Sequence, residues 1–132
     1  MDVFKLNGKS YNVNVVELSE NFSILYSENT GRTMATGAPM TLDPLGCFIG
    51  HKIVVSRKQG YETEFDNLYN FILKPRFNGI DVVIVHNQDT ISYKAYVSQG
   101  ERKLKRIDLK TGKILWDSLT LTIVPMKAQV IP

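Results

Sequence analysis

The chain has 132 residues, 43% hydrophobic and 22% charged, values that fit one globular domain spanning 1–132. A formal net charge of +3 is too small to indicate nucleic-acid binding by itself, and a single cysteine, Cys47, excludes an intramolecular disulfide. No apolar run in the sequence is long enough to cross a bilayer, and the N-terminal residues lack the pattern of a signal peptide.

The N-terminal part of the chain predicts a hairpin. A strand candidate at 3–6 precedes Asn7 and Gly8, a dipeptide that favours the two-residue turns of β-hairpins. Hydrophobic and polar residues then alternate, which predicts the partner strand. The alternation changes parity at Val16, so we expect a β-bulge there, in a strand that continues to Tyr26.

The segment 27–46 has no steady periodicity. It contains three glycines and two prolines together with apolar residues such as Met34, Met40 and Leu42. A long irregular connection is uncommon in a compact domain unless it binds something or is disordered, and the apolar content argues against disorder. The sequence therefore predicts a protruding loop, or a loose hairpin, that packs on another molecule.

A strand at 47–57 and then one helix at 61–74 are predicted next. The apolar residues of the second segment recur at helical spacing and form one stripe, made of Tyr61, Phe65, Leu68, Tyr69 and Ile72. Pro75 is expected to end the helix, because the residue before a proline disfavours the helical conformation.

Strands fill the rest of the chain. Alternating or continuous hydrophobic runs predict them at 80–86, 91–98, 101–109 and 114–126. Gln99 and Gly100 are expected to form a turn, and residues 110–113 another. In the last strand the hydrophobic residues share one parity, and Asp117 is the polar exception.

Together these elements predict a mainly β fold of the α+β type. We expect an antiparallel β-sandwich or flattened barrel with one packed α-helix, about 61–74, and a long loop, about 27–46. No βαβ repeat occurs, so a doubly wound parallel sheet is not expected.

The sequence motifs of common catalytic sites are absent. The chain contains neither HExxH nor CxxC, and neither GxSxG nor a glycine-rich phosphate-binding loop. Cys47 and His51 share a face of one predicted strand, so a metal site with His86 is conceivable, but a buried cysteine is more often a core residue. We therefore expect a protein that is not an enzyme and that binds no cofactor or metal.

A basic cluster in the strand 101–109 and the turn after it is the main charge feature. Its members are Arg102, Lys103, Lys105, Arg106, Lys110 and Lys113. The cluster fits an oligonucleotide surface with the nearby Tyr93 and Tyr96, a solvated edge strand, or an interface with an acidic neighbouring subunit. The modest net charge favours the interface first and the solvated edge second.

Trp116 has the opposite parity to Leu115 and Leu119 and is expected to point outward unless a bulge intervenes. An outward tryptophan suggests a protein interface, because aromatic residues are enriched there. A rim aromatic packed under the helix is an equally good interpretation, and the sequence leaves both open.

Several segments, in this order, resemble short tail proteins that are encoded by phages and prophages of Gram-positive bacteria. They are ELSENFSILYSENTGRT, FDNLYNFIL, YKAYVSQGERKLKRI and LWDSLTLTIVPMKAQ. The arrangement also resembles the tail-tube fold, a β-sandwich with one flanking helix and a long loop. Proteins of that fold stack as rings, often hexameric, in tail tubes, baseplate hubs and distal tail proteins.

This resemblance implies a structural subunit of a phage tail or phage-tail-like particle, as a ring-forming tube, baseplate hub or tail adaptor protein. Such a protein would be made in the cytoplasm of the bacterial host and located in the virion tail. Its partners would be itself, in a homo-oligomeric ring such as a hexamer, and neighbouring tail or baseplate proteins. No membrane is expected, and nucleic acid only as DNA passing through a channel.

By the same resemblance, the loop at 27–46 and the hairpin at 101–124 would supply the subunit contacts. The candidate interface residues are Asn29, Arg32, Met34, Met40, Leu42, Arg102, Lys103, Lys105, Arg106 and Trp116. A tube lumen is usually acidic and this hairpin is basic, which favours a minor tail or baseplate component whose hairpin faces another subunit. The alternative function is a small β-barrel that binds nucleic acid through the basic hairpin at 102–113.

Overall fold

The structure, a computed structural model, describes residues 3–27 and 42–132. Within these ranges the elements are β1 (Phe4–Leu6), β2 (Asn14–Tyr26), β3 (Pro44–Ser56), α1 (Glu62–Leu73), β4 (Ile80–His86), β5 (Asp89–Ile107) and β6 (Ile114–Pro125). The strands form one antiparallel sheet in the order β1-β4-β5-β6-β3-β2. The predicted mainly β class with one packed helix is confirmed, but the strands form a single sheet that is not closed into a barrel.

The N-terminal turn forms as predicted, but the strand before it has a different partner. Asn7 and Gly8 have φ angles of 51° and 78°, and Leu6 and Lys9 exchange two backbone hydrogen bonds of 3.0 Å. β1 pairs with β4 and not with the segment after the turn. The predicted N-terminal hairpin is therefore wrong beyond Lys9, because pairing with β4 buries Phe4 and Leu6 in the core.

β2 and β3 form a long antiparallel pair, and the predicted bulge is confirmed. The register shifts between Val15 and Glu17, which leaves Val16 without a partner on β3. β2 reaches Tyr26, as expected from the sequence. The bulge lets the hydrophobic parity change along one strand without ending the pairing.

β5 is one continuous strand, Asp89–Ile107, so the turn expected at Gln99 and Gly100 is wrong. The register with β6 shifts between Val97 and Gln99, and this bulge accommodates the break in alternation. Gly100 allows a close approach of the two strands, since a Cβ there would lie 2.8 Å from the Thr120 carbonyl oxygen.

α1 packs its apolar stripe on the sheet. Phe65 and Leu68 are fully buried and join a core cluster to which β1, β3, β4, β5 and β6 also contribute. The helix is one residue shorter at each end than predicted, and it ends before Lys74, whose backbone is extended ahead of Pro75.

The sheet is curled, so that its two ends approach each other on the concave side. Three strands separate β4 from β2 in the sheet, yet Nδ1 of His86 on β4 lies 2.6 Å from Oε1 of Glu20 on β2. Neighbouring strands lie about 4.8 Å apart, so four steps along a flat sheet would separate these residues by about 19 Å. The curl therefore brings together residues that neither sequence nor strand order places near each other.

Candidate functional site

The basic residues expected at an interface lie along an open stretch of β5. β4 pairs with β5 only over 89–95, so among the described residues the segment 96–107 pairs with β6 alone. Lys103, Lys105 and Arg106 are exposed on this segment. An edge with unpaired backbone groups can accept another strand, and basic side chains on such an edge would favour an acidic partner.

Arg102 differs from these neighbours, because its side chain packs against α1 and β6 instead of extending into solvent. Its guanidinium lies 3.8 Å from the ring centroid of Tyr69 on α1 and 3.8 Å from that of Trp116 on β6. Nη1 donates a hydrogen bond of 3.1 Å to Oδ1 of Asp66, also on α1. Arg102 therefore fastens the helix to the β5–β6 pair, and only 15% of its side chain is exposed.

Trp116 belongs to the same arrangement. The register between β5 and β6 shifts at this point and leaves Asp117 as an extra residue in β6. The bulge changes the side on which Trp116 projects, and its ring packs against the core cluster beneath Arg102. Of the two orientations that the sequence left open, the outward one is therefore wrong and the rim aromatic packed on the core is the one observed. Asp117, the polar exception in the sequence, marks the position of the bulge.

We expect Arg102→Ala to lower the free energy of unfolding by about 2 kcal/mol, because it removes two cation–π contacts and a charge-assisted hydrogen bond. Urea denaturation measures this change. Lys103→Ala removes an exposed neighbouring charge and should change the free energy of unfolding by less than about 0.5 kcal/mol. Equal effects of the two substitutions would contradict the fastening role of Arg102.

The loop expected at 27–46 was predicted too long, because β3 already begins at Pro44. It falls mostly outside the described residues. Asn29, Arg32, Met34 and Met40 all lie there, and their expected role remains a prediction. Leu42 is described, and 58% of its surface is exposed.

β2 forms an edge of the sheet, and sequence analysis missed its exposure. Among the described residues no strand pairs with its outer side. Its second half exposes large apolar side chains, namely Phe22, Ile24, Leu25 and Tyr26. Edge strands are commonly short or protected by charges, so a long apolar edge is a candidate interaction surface. The strand order decides this exposure, since the same residues would be buried in a central strand.

A polar cluster lies on the concave face, where the ends of the sheet meet. His51 on β3 is fully buried, with Nδ1 2.6 Å from Oη of Tyr93 on β5 and Nε2 3.1 Å from Oε1 of Glu20. The same Glu20 oxygen lies 2.6 Å from Nδ1 of His86. Sequence analysis considered the two histidines for a metal site and Tyr93 for base stacking, but it did not group them with Glu20, because the curl of the sheet alone unites these strands.

The surroundings of the cluster shift its protonation equilibria. Burial lowers the pKa of His51, although the hydrogen bond and the charge of Glu20 oppose this effect. The hydrogen bond from His86 is the main cause that lowers the pKa of Glu20, and burial raises the pKa of the Tyr93 hydroxyl. Near neutral pH, Glu20 is therefore a carboxylate, Tyr93 a hydroxyl and His51 an uncharged imidazole.

The metal site that the sequence made conceivable is not assembled. Among residues 3–27 and 42–132, no three side chains of His, Cys, Asp and Glu are grouped so that they could hold a metal ion. Cys47 lies beside the C-terminal segment, where its backbone N–H donates to the Val130 carbonyl at 2.8 Å. His51 and His86 both hydrogen-bond the carboxylate of Glu20, whereas the backbone of Cys47 hydrogen-bonds the C-terminal segment.

Comparison with known proteins finds no family model that matches the chain and no curated protein that matches its sequence. The helix in the described part of the chain is too short to cross a membrane. The function of the protein therefore has to follow from the two sheet edges and the polar cluster.

Proposed function

We propose that the chain is a structural subunit of a phage tail or phage-tail-like particle, acting as a ring-forming tube, hub or adaptor protein. The observation that carries this proposal is a pair of long strand edges, the outer edge of β2 and the 96–107 segment of β5, that lie apart in one sheet. The resemblance of the sequence to short tail proteins points to the same kind of particle.

The two edges have compatible directions. β5 and β2 are three steps apart in an antiparallel sheet, so they run in opposite directions. A second copy in the same orientation can place its β5 beside β2 of the first copy as an antiparallel neighbour. Repetition of such a heterologous contact generates a ring when the rotation between copies closes.

The charges of the two edges are also complementary. β2 contains two acidic residues, Glu17 and Glu20, and no basic residue, whereas segment 96–107 exposes three basic residues and one acidic residue. Opposite charges across an interface steer association and fix its register. The exposed apolar residues of β2 would then supply burial, and the basic residues of β5 would supply specificity.

The mass of the protein in solution tests this proposal. We expect multi-angle light scattering to show a discrete multiple of the 15.0 kDa chain at high concentration, and electron microscopy to show closed rings. The combined substitution Lys103→Glu, Lys105→Glu and Arg106→Glu should weaken this association at least about 100-fold, since it places like charges at the contact. A chain that stays a monomer at every concentration would contradict the proposal.

Two further variants make the test specific for the β2–β5 contact. Charge reversal at the exposed Lys5, Lys9 and Lys127, which lie on neither β2 nor β5, changes net charge equally and should leave the association intact. Adding Glu17→Lys to the β5 triple variant restores one opposite-charge pairing and should recover part of the association. Equal loss in both triple variants would show that net charge, and not this contact, controls assembly.

Nucleic-acid binding is the second candidate, and the exposed basic residues of β5 favour it. The aromatic residues are less available for base stacking than the sequence suggested, because Tyr93 is bonded to His51 and Trp116 lies beneath Arg102. Titration with a single-stranded oligonucleotide at low ionic strength separates the two functions. Tight binding that weakens steeply with salt, by a chain that does not assemble, would favour this candidate.

A further inference from the structure

Glu20 connects two parts of the sheet that the strand order keeps apart. It lies on the edge strand β2, and its carboxylate accepts hydrogen bonds from His51 on the adjacent β3 and from His86 on the distant β4. The side chain of Glu20 is 40% exposed, whereas His51 beneath it has no exposed surface. The carboxylate thus closes the concave face over a buried imidazole.

One arrangement of protons satisfies the buried groups of this cluster. A carboxylate only accepts hydrogen bonds, so Nε2 of His51 must carry the proton that it shares with Glu20. Nδ1 of the uncharged imidazole is then an acceptor, and the hydroxyl of Tyr93 donates to it at 2.6 Å. His86 donates from Nδ1 to the same carboxylate.

We propose that Glu20, His51, His86 and Tyr93 form an acid-sensitive clasp, which holds β2 over the concave face near neutral pH and releases it when His51 takes up a proton from solvent. The proposal does not depend on the proposed function, because the clasp lies within one chain.

Protonation of His51 disturbs the cluster in two ways. A proton on Nδ1 turns this atom into a donor, so the hydroxyl of Tyr93 loses its acceptor, and a buried hydroxyl without an acceptor is costly. The new charge is fully buried, and Glu20 on β2 compensates it only in part because His86 on β4 competes for the same oxygen. The partner of His51 on β6 is the uncharged Ile123, which offers no compensation. Release of β2 lets water reach the imidazolium.

The direction of the pH effect follows from the lowered pKa of His51 in the closed form. The open form has the ordinary value of 6.5 and binds the proton more readily, so opening becomes more favourable as the pH falls below 6.5. One proton taken up on opening raises the opening equilibrium by up to about tenfold per pH unit. The lowered pKa of Glu20 acts only below its ordinary value of 4.5, so Glu20 does not contribute between pH 7.5 and 5.5, and histidine variants assign the effect to His51.

Hydrogen–deuterium exchange tests the clasp. We expect protection of the amides at 18–22 in β2, corrected for the intrinsic exchange rate, to fall about tenfold between pH 7.5 and 5.5. Protection at 82–84 in β4 should stay constant over the same range. The chain with Lys103→Glu, Lys105→Glu and Arg106→Glu gives the measurement without assembly, so the outcome is independent of ring formation.

His51→Gln should abolish the pH dependence of β2 exchange, since glutamine can hydrogen-bond but does not titrate. His86→Gln, the matched control, should retain it because His51 is still present. The clasp is wrong if β2 and β4 lose protection together or if His51→Gln keeps the pH dependence of the wild type. Nitrogen chemical shifts of the His51 ring in the wild type provide a second test, and a proton on Nδ1 at pH 7.5 would overturn the proposal even if His51→Gln does not fold.

Discussion

Phe65→Ala is expected to lower the free energy of unfolding by about 3–5 kcal/mol, the range for removing a buried phenylalanine and leaving a cavity. Phe65 is 1% exposed and anchors α1 in the core together with Leu68. The helix has 12 residues, no side-chain hydrogen bond at its N-cap and no basic residue in its last turn. A helix of this length is marginal by itself, so its stability depends on this packing.

Urea denaturation followed by circular dichroism measures the effect. Phe77→Ala is the matched control, because Phe77 lies fully exposed after the helix and its removal should change the free energy of unfolding by less than about 0.5 kcal/mol. Similar losses for the two variants would mean that the helix is not anchored by Phe65.

Gly79→Ala is expected to lower the free energy of unfolding by about 3 kcal/mol, through backbone strain and crowding together. Gly79 has a φ of +71°, and a Cβ there would lie 2.5 Å from the Ala95 carbonyl oxygen and 2.6 Å from Sδ of Met126. Ala95 is paired with Ile80 on one side and Pro125 on the other, so its backbone cannot shift without disturbing two ladders. The absence of a Cβ at Gly79 therefore permits the backbone at the start of β4 to lie close beside β5.

Gly60→Ala separates the two causes. Gly60 has a φ of +85°, but a Cβ there would meet nothing within 4 Å, so only the strain of about 1 kcal/mol remains. Thermal or urea denaturation of both variants gives the comparison. If Gly79→Ala lowers the free energy of unfolding no more than Gly60→Ala does, the paired backbone of β4 and β5 shifts readily to accommodate the Cβ, and crowding does not contribute.

The long apolar edge of β2 connects stability with the proposed function. Phe22 is 72% exposed, and burying such a side chain against a neighbouring copy contributes about 2 kcal/mol. The isolated chain keeps this surface in water, and the proposed assembly would bury it. The clasp at Glu20 lies on the same strand, so acid release of β2 and loss of the assembly edge would occur together if both proposals hold.

Local elements were the part of the fold that could be predicted. The strand at 80–86 has the predicted bounds, and the bulge at Val16 appears where the parity changes. The positive φ angles at Asn7 and Gly8 follow from a dipeptide that tolerates them. These features depend on residues within a few positions of each other, so a single sequence contains the information.

Of the candidate site, sequence analysis predicted only the basic residues. The basic residues were identified from their clustering in one segment, but their position on an open edge follows from β4 ending its pairing at Ala95. The orientation of Trp116 depended on the register between β5 and β6, which alternation within one strand cannot reveal. The hydrogen bond between Glu20 and His86 joins residues 66 positions apart and could not be found from spacing.

By itself, the sequence determined the strand at 80–86, the helix and the apolar parity of β6, because hydrophobic periodicity is a property of each segment. Only the tertiary structure decided that β1 pairs with β4, that β2 is an exposed edge, and that the sheet curls until Glu20 meets two histidines. Strand order and curvature arise from which faces are buried together over long sequence separations. That is a cooperative choice of the whole chain, and no single segment contains it.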